Sequence, residues 1–124
     1  MDRLNHLSEQ VIGAAIEVHR MLGPGLLESA YKACVAHELN LRAIPHVRQV
    51  PLRVRYKDLE LDCGYRADLV VADALVVEIK AVQELEPVHE AQLLTYMKLG
   101  SWKLGLLINF NVPVLRDGIR RRVL

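Results

Sequence analysis

Two acidic residues and a lysine stand in a stretch of sequence whose other residues are mostly apolar. Asp68 is followed by Leu-Val-Val, and Glu78 and Lys80 lie in the run Leu-Val-Val-Glu-Ile-Lys. Two facing carboxylates repel each other when both are ionised, and burial makes each charge costly. Such a pair is tolerated if one carboxyl group is protonated or if a cation bridges the two. Because oxygen ligands suit hard ions, these residue types predict a site for Mg²⁺.

A hairpin would bring the three side chains together. If residues 72–74 form a three-residue loop, counting outward along both strands puts Asp68 directly opposite Glu78. Directly opposed residues have Cβ atoms about 5 Å apart on the same face of a sheet. Lys80 is two residues beyond Glu78 and therefore shares its face. We expect the two carboxylates and the ammonium to converge on one spot.

A metal at that spot could polarise a phosphodiester and generate hydroxide from bound water. Lys80 could orient the water or stabilise charge on the phosphate. The alternative is a structural salt bridge, in which Lys80 neutralises Glu78 or Asp68 and nothing is catalysed. The strand that carries Glu78 is apolar on both faces, which indicates a central strand and favours a functional reason for its charges.

Two further pairs of polar residues have helical spacing. Glu28 and Tyr31 are three residues apart, and Gln92 and Tyr96 are four apart, so each pair shares one helix face. By spacing alone, Glu28 would complement the dipole at the start of a helix. Gln92 and Tyr96 would belong to a helix surface packed against the sheet. Spacing therefore leaves the role of both pairs open.

Periodicity and turn residues predict the elements that must position these residues. The predicted elements are helices over residues 7–22 and 26–41, strands over 45–57, 59–63, 65–71 and 75–81, a helix over 87–99, a strand over 104–110, and a last short strand or tail over 119–124. Gly23-Pro24-Gly25 ends the first helix, because proline cannot continue it. The order α-α-β-β-β-β-α-β, with a last optional strand, predicts an α/β fold in which helices pack against a mixed sheet.

Length and composition set limits on the function. The chain has 124 residues, the size of one domain, and its 52% hydrophobic and 25% charged residues are typical of a globular protein. Its net charge of +1 gives no whole-molecule attraction to nucleic acid, so binding would depend on a local patch. The sequence begins without the layout of a signal peptide and has no membrane-length apolar run. We therefore expect a cytoplasmic location and no membrane partner.

The order of the motifs resembles that of the GxxExxY proteins, a group within the PD-(D/E)XK nuclease superfamily. The resemblance is carried, in chain order, by Gly25-x-x-Glu28-x-x-Tyr31, Asp68, Glu78-x-Lys80 and Gln92-x-x-x-Tyr96. It extends from Leu7 to the arginine-rich end of the chain. In one respect the sequence departs from the superfamily pattern, since Ala67 and not proline precedes Asp68, at a position that binds no metal.

The resemblance implies a single nuclease-like domain over residues 1–124, with a restriction-endonuclease-like core and a mixed sheet of four to five strands. It implies that Asp68 and Glu78 ligate Mg²⁺ or Mn²⁺, together with the backbone carbonyl of Ile79. Lys80 would assist the attacking water. Glu28 would reach the site from its helix as a metal or water ligand.

The resemblance also implies that Gln92, Tyr96 and Tyr31 orient the site or bind substrate. The implied function is metal-dependent hydrolysis of DNA or RNA by activated water. The alternatives are a catalytically silent nuclease-fold module that binds nucleic acid or a protein partner, and a structural protein with a salt-bridge network. A homodimer is a further expectation, because the apolar fraction is high for a small chain.

Basic residues outside these motifs offer a second place for phosphate. Arg53, Arg55 and Lys57 alternate along the predicted strand over 45–57 and could face phosphates, although a solvated strand face is the default interpretation. Trp102 is a lone aromatic in a predicted turn, which is too little for a base-stacking platform.

Overall fold

The computed structural model describes residues 2–124, which form three α-helices, a five-stranded sheet and a short 3₁₀ helix. The elements in chain order are α1 (Asp2–Leu22), α2 (Glu28–Leu41), β1 (His46–Tyr56), β2 (Leu59–Val71), β3 (Leu75–Lys80), α3 (Pro87–Gly100), β4 (Leu104–Asn109), the 3₁₀ helix (Leu115–Gly118) and β5 (Ile119–Val123). The predicted α/β class, with helices that flank a mixed sheet, is confirmed.

The five strands lie side by side in the order of the chain. Strands β3 and β4 are parallel, and the other neighbouring strands are antiparallel. A parallel pair needs a long crossover, and α3 supplies it between β3 and β4. The central position of β3 was predicted from its apolar residues, and its first five residues are indeed buried.

One strand, β2, lies between β1 and β3, where two were predicted. The residues around Gly64 were expected to separate strands over 59–63 and 65–71, but β2 runs unbroken from Leu59 to Val71. Gly64 has a φ of +78°, which glycine adopts without strain. Here residues 62–64 of β2 lie against the single residue Arg53 of β1. This bulge bends the hairpin while the pairing resumes on both sides of it.

The helices cover the two faces of the sheet with separate apolar cores. On one face α1 and α2 pack against the sheet, and the Tyr31 ring stacks on Phe110 with centroids 4.6 Å apart. On the other face α3 contributes Leu93 and Met97 to a second core, which also holds Trp102. Within residues 2–124, no helix combines the length and the apolar character needed to cross a bilayer.

The turn between β2 and β3 has the predicted three-residue length. Val71 pairs with Leu75 across residues 72–74, and the register continues inward to the pair Leu69–Val77. The loop backbone is left-handed at two of its residues, with φ values of 51° and 53°. The register that would place Asp68 opposite Glu78 is therefore present as far as their neighbours, Leu69 and Val77.

Candidate active site

The carboxylates of Asp68 and Glu78 lie where regular pairing between β2 and β3 ends. The main-chain N–H of Asp68 donates to Glu78 Oε2 at 2.7 Å, and the N–H of Ile79 donates to Asp68 Oδ2 at 2.8 Å. Each carboxylate thus accepts a hydrogen bond from the main chain of the opposite strand. Both residues are buried, with 6% and 3% of their surface exposed. The structure brings together the two residues that the hairpin count placed opposite each other.

Strand β2 is irregular at Asp68. Residues two apart on a regular strand face the same side, yet Ala67 packs in the core under α3 and Leu69 in the core under α1 and α2. The opposite residue on β1, Gln49, has a φ of +52° and forms no regular pair with Asp68. The alternation of β2 side chains between the two faces of the sheet is therefore broken at Asp68. Irregular strand positions of this kind are common next to active sites.

The protonation of Glu78 is tuned by its surroundings. Burial, followed by the charge of Asp68, raises the pKa of Glu78 from its ordinary 4.5 to about 7. The hydrogen bond from the Asp68 N–H and the ammonium groups of Lys80 and Lys32 act in the opposite direction. Near neutral pH Glu78 is therefore present in both protonated and ionised forms. A cation next to it would favour the ionised form.

Lys32 is a member of the site that sequence reasoning missed. Its Nζ lies 2.9 Å from Asp68 Oδ1 and 3.1 Å from Glu28 Oε2. Burial lowers the pKa of Lys32, but its hydrogen bonds and charge interactions with Asp68 and Glu28 outweigh this and leave the pKa above the ordinary 10.5. Lys32 is thus a protonated bridge between the two carboxylates. Glu28, predicted to reach the site, does so through this lysine.

A chain of hydrogen bonds connects β3 to α3 on the other side of the carboxylates. Lys80 Nζ donates to Gln92 Oε1 at 3.3 Å, and Gln92 Nε2 donates to the Tyr96 hydroxyl at 3.2 Å. Burial, followed by the charges of Glu78 and Asp68, raises the pKa of Tyr96, so its hydroxyl stays protonated. The structure therefore joins Lys80, Gln92 and Tyr96, which were predicted from separate motifs.

Asn109, at the end of β4, fixes the backbone that follows Lys80. Its side chain accepts from the N–H of Val82 at 3.0 Å and donates to the carbonyl of Val82 at 2.9 Å. The N–H of Phe110 donates to the carbonyl of Lys80 at 2.9 Å. These contacts hold the end of β3 against β4. Asn109 is 2% exposed and is the one polar side chain of an otherwise apolar strand.

Tyr31 is not brought into this cluster. Its side chain is fully buried, its hydroxyl donates to the carbonyl of Gly23 at 2.5 Å, and it accepts from the N–H of Leu26 at 3.1 Å. A side chain without exposed surface has no area for a substrate. Its contacts support an orienting role, in which Tyr31 holds the loop that leads into α2.

The oxygen donors of the site are of the type that hard divalent cations prefer. The Lys32 ammonium shows that Asp68 and Glu28 converge on a position occupied by a positive charge. Among residues 2–124, no group of three or more histidine, cysteine, aspartate or glutamate side chains is arranged to hold a metal. Mg²⁺ nevertheless binds through one or two carboxylates together with waters and substrate phosphates. A cation that took Asp68 Oδ1 as a ligand would have to displace Lys32 from it.

Comparison with known families gives a match that covers almost the whole chain. Residues 5–122 match a family model described as the PD-(D/E)XK nuclease superfamily. Neither the curated proteins nor the solved structures gave a match. The matched segment contains both strands that carry the buried carboxylates and the helix that carries Gln92 and Tyr96. The chain belongs to the PD-(D/E)XK nuclease superfamily.

Proposed function

We propose that this protein is a metal-dependent nuclease that hydrolyses phosphodiester bonds of DNA or RNA by attack of activated water. The observation that carries the proposal is the pair of buried carboxylates, Asp68 and Glu78, each of which accepts a hydrogen bond from the main chain of the other's strand. Lys80 lies two residues after Glu78 on the same strand. Membership in a nuclease superfamily supports the reaction class. The motif Gly25-x-x-Glu28-x-x-Tyr31 supports placing the chain in the GxxExxY group.

In this proposal Asp68 and Glu78 would hold Mg²⁺ or Mn²⁺, with the backbone carbonyl of Ile79 as a further ligand. Glu28 would serve as a metal or water ligand once Lys32 releases it. When bound, the ion would polarise the phosphodiester and lower the pKa of its bound water. Ionisation of Glu78, whose pKa is about 7, would supply the second negative charge that the ion requires.

The remaining residues would position charge around the scissile phosphate. Gln92 accepts a hydrogen bond from Lys80 and so limits the positions of its ammonium. An ammonium held in advance stabilises negative charge that develops on a phosphate without further reorganisation. Tyr96 would in turn hold the Gln92 amide, because its protonated hydroxyl accepts from Nε2.

The second candidate is a catalytically silent module that uses the same fold to bind nucleic acid or a protein partner. The contact of Lys32 with Asp68 and Glu28 favours it, since an ammonium already pairs with both carboxylates. A cationic side chain in that position stabilises the apo site and competes with metal. In both candidates nucleic acid is a proposed partner, and a cytoplasmic location and a homodimer remain predictions.

The experiment is a cleavage assay on labelled single- and double-stranded DNA and RNA with Mg²⁺, Mn²⁺ or EDTA. We expect metal-dependent cleavage by the wild type and a loss of about 100-fold or more in Asp68→Asn and Glu78→Gln. Asp58→Asn, an exposed acid at the tip of the β1–β2 hairpin, is the matched control and should cleave like the wild type.

Two results would decide against the nuclease. Cleavage that survives in Glu78→Gln would come from a contaminant and would remove the support for this site. Binding of the oligonucleotides without cleavage under any metal would favour the silent module.

A further inference from the structure

A small pocket with two tyrosines adjoins the candidate site. It has a volume of about 160 Å³ and is lined by Val54, Tyr65, Gln92, Thr95, Tyr96 and Leu99. Gln92 and Tyr96 also belong to the hydrogen-bond chain from Lys80, so the pocket begins where that chain ends.

Tyr65 gives the pocket an accessible aromatic wall. Its ring lies edge-on to Tyr96, with centroids 6.3 Å apart and an interplanar angle of 62°. Tyr96 is almost buried, whereas 44% of Tyr65 is exposed. Tyr65 therefore has ring surface that is free to stack on a planar ligand, while Tyr96 keeps it in place.

A larger and more basic pocket continues from the first one. It has a volume of about 480 Å³, shares Leu99 with the small pocket, and carries Arg53, Arg55 and Lys98 against the single acid Glu60. The two arginines lie 3.5 Å and 3.3 Å from Glu60, and their side chains are 62% and 74% exposed. Exposed ion pairs of this kind are weak, so both arginines are available to phosphates.

We propose that the groove formed by these two pockets binds one unpaired strand of nucleic acid, with a base stacked on Tyr65 and phosphates near Arg53, Arg55 and Lys98. This inference rests on the proposed function and specifies its substrate as single-stranded or frayed. A basic groove with an aromatic platform is how proteins bind single strands. A duplex hides the faces of its bases, so it offers nothing for Tyr65 to stack on.

The dimensions of the groove agree with a strand that enters the candidate site. Along α3, the eight residue steps from Gln92 to Gly100 span about 12 Å, several times the roughly 3.4 Å between neighbouring phosphates along one strand of a DNA duplex. A base on Tyr65 would share the small pocket with Gln92, which binds Lys80, and would leave further phosphates of the strand along the basic pocket. The groove supplies the local positive patch that a chain with a net charge of only +1 requires.

The experiment measures binding of a short labelled oligothymidylate and of a duplex of equal length, by fluorescence anisotropy in EDTA. We expect the wild type to bind the single strand more tightly, and Tyr65→Ala to weaken that binding about 5- to 100-fold with no change for the duplex. Tyr65→Phe should bind like the wild type. Tyr56→Ala, which changes an exposed tyrosine at the turn of the β1–β2 hairpin, is the matched control and should have no effect.

The double variant Arg53→Gln, Arg55→Gln should bind less tightly and show a shallower dependence of affinity on salt. The inference is overturned if Tyr65→Ala binds the single strand like the wild type, or if Tyr56→Ala loses as much. Absence of any oligonucleotide binding overturns it as well. Binding is measured without metal, so the two proposals can fail separately. Single-strand binding that depends on Tyr65, without any cleavage, would reject the nuclease proposal alone. Cleavage that depends on Asp68 but is unaffected by Tyr65→Ala would reject only this inference.

Discussion

The ammonium of Lys32 lies 2.9 Å from Asp68 Oδ1 and bridges it to Glu28, which lies 3.1 Å away. One protein cation thus occupies the space between two carboxylates of a nuclease-superfamily site. Any metal that used Asp68 would compete with this ammonium, and the outcome of that competition decides whether the site is loaded. Lys32 therefore controls metal affinity in the proposed mechanism.

Lys32→Met should tighten Mn²⁺ binding by about 10-fold or more, because it removes a positive charge only a few ångströms from the ion. The measurement is isothermal titration calorimetry with the metal alone. Lys103→Met, an exposed lysine just before β4 at the end of the sheet opposite the site, is the control and should leave the affinity unchanged. Weaker metal binding in Lys32→Met would mean that the lysine supports the metal site and does not compete for it.

Glu78→Gln should stabilise the metal-free protein more at pH 8 than at pH 5. Since the folded-state pKa of Glu78, about 7, lies above the ordinary 4.5, the folded chain holds more protons than the unfolded chain between these values. The contribution of Glu78 to stability is therefore lost as the pH rises from about 4.5 through 7. By urea denaturation, the stability of the variant relative to the wild type should be about 2–3 kcal/mol greater at pH 8 than at pH 5.

The control for this comparison is Glu84→Gln, which changes an exposed acid of the same type. The change in its relative stability between pH 5 and pH 8 is the baseline that Glu78→Gln should exceed. If the difference between the wild type and Glu78→Gln is the same at pH 5 and pH 8, Glu78 does not titrate as its burial next to Asp68 requires.

Gln92→Ala should lower kcat by about 10- to 100-fold and leave the fold and KM nearly unchanged. The amide holds the Lys80 ammonium, and a misplacement of about 1 Å in a catalytic group can cost on the order of 100-fold. Single-turnover cleavage of a saturating substrate measures this effect. A larger change in KM than in kcat would instead make Gln92 a residue that binds the substrate in its ground state.

Tyr31→Phe should destabilise the fold by about 1–2 kcal/mol, because it removes the hydroxyl that bonds the main chain of both Gly23 and Leu26. Urea denaturation of this variant and of Tyr56→Phe, whose side chain is exposed, measures the difference. An unchanged stability in Tyr31→Phe would show that the loop before α2 is held without the tyrosine.

Much of the fold could be predicted from local sequence. The period of α1, the apolar run of β3 and the three-residue loop at 72–74 each depend on neighbours in the chain, and each was predicted correctly. The error at Gly64 has a local cause too, because a glycine between two apolar stretches is typical both of a turn and of a bulge. Only the pairing with β1, on both sides of Arg53, makes it a bulge.

The site was predictable where it depends on register and not where it depends on packing. Asp68 and Glu78 follow from counting along one hairpin. Lys32 does not, because four residues after Glu28 it is typical of an ordinary helix pair, and its contact with Asp68 exists only when α2 packs on the sheet. The pocket at Tyr65 likewise depends on the position of α3 relative to β1.

The most direct measurement of the central claim is a crystal structure of the protein grown with Mn²⁺ at a pH above 7, with anomalous diffraction data. The proposal predicts an anomalous peak within bonding distance of Asp68 and Glu78, with the Lys32 ammonium moved away from Asp68 Oδ1. A structure with no peak between the two carboxylates, and with Lys32 still bound to Asp68, would contradict it.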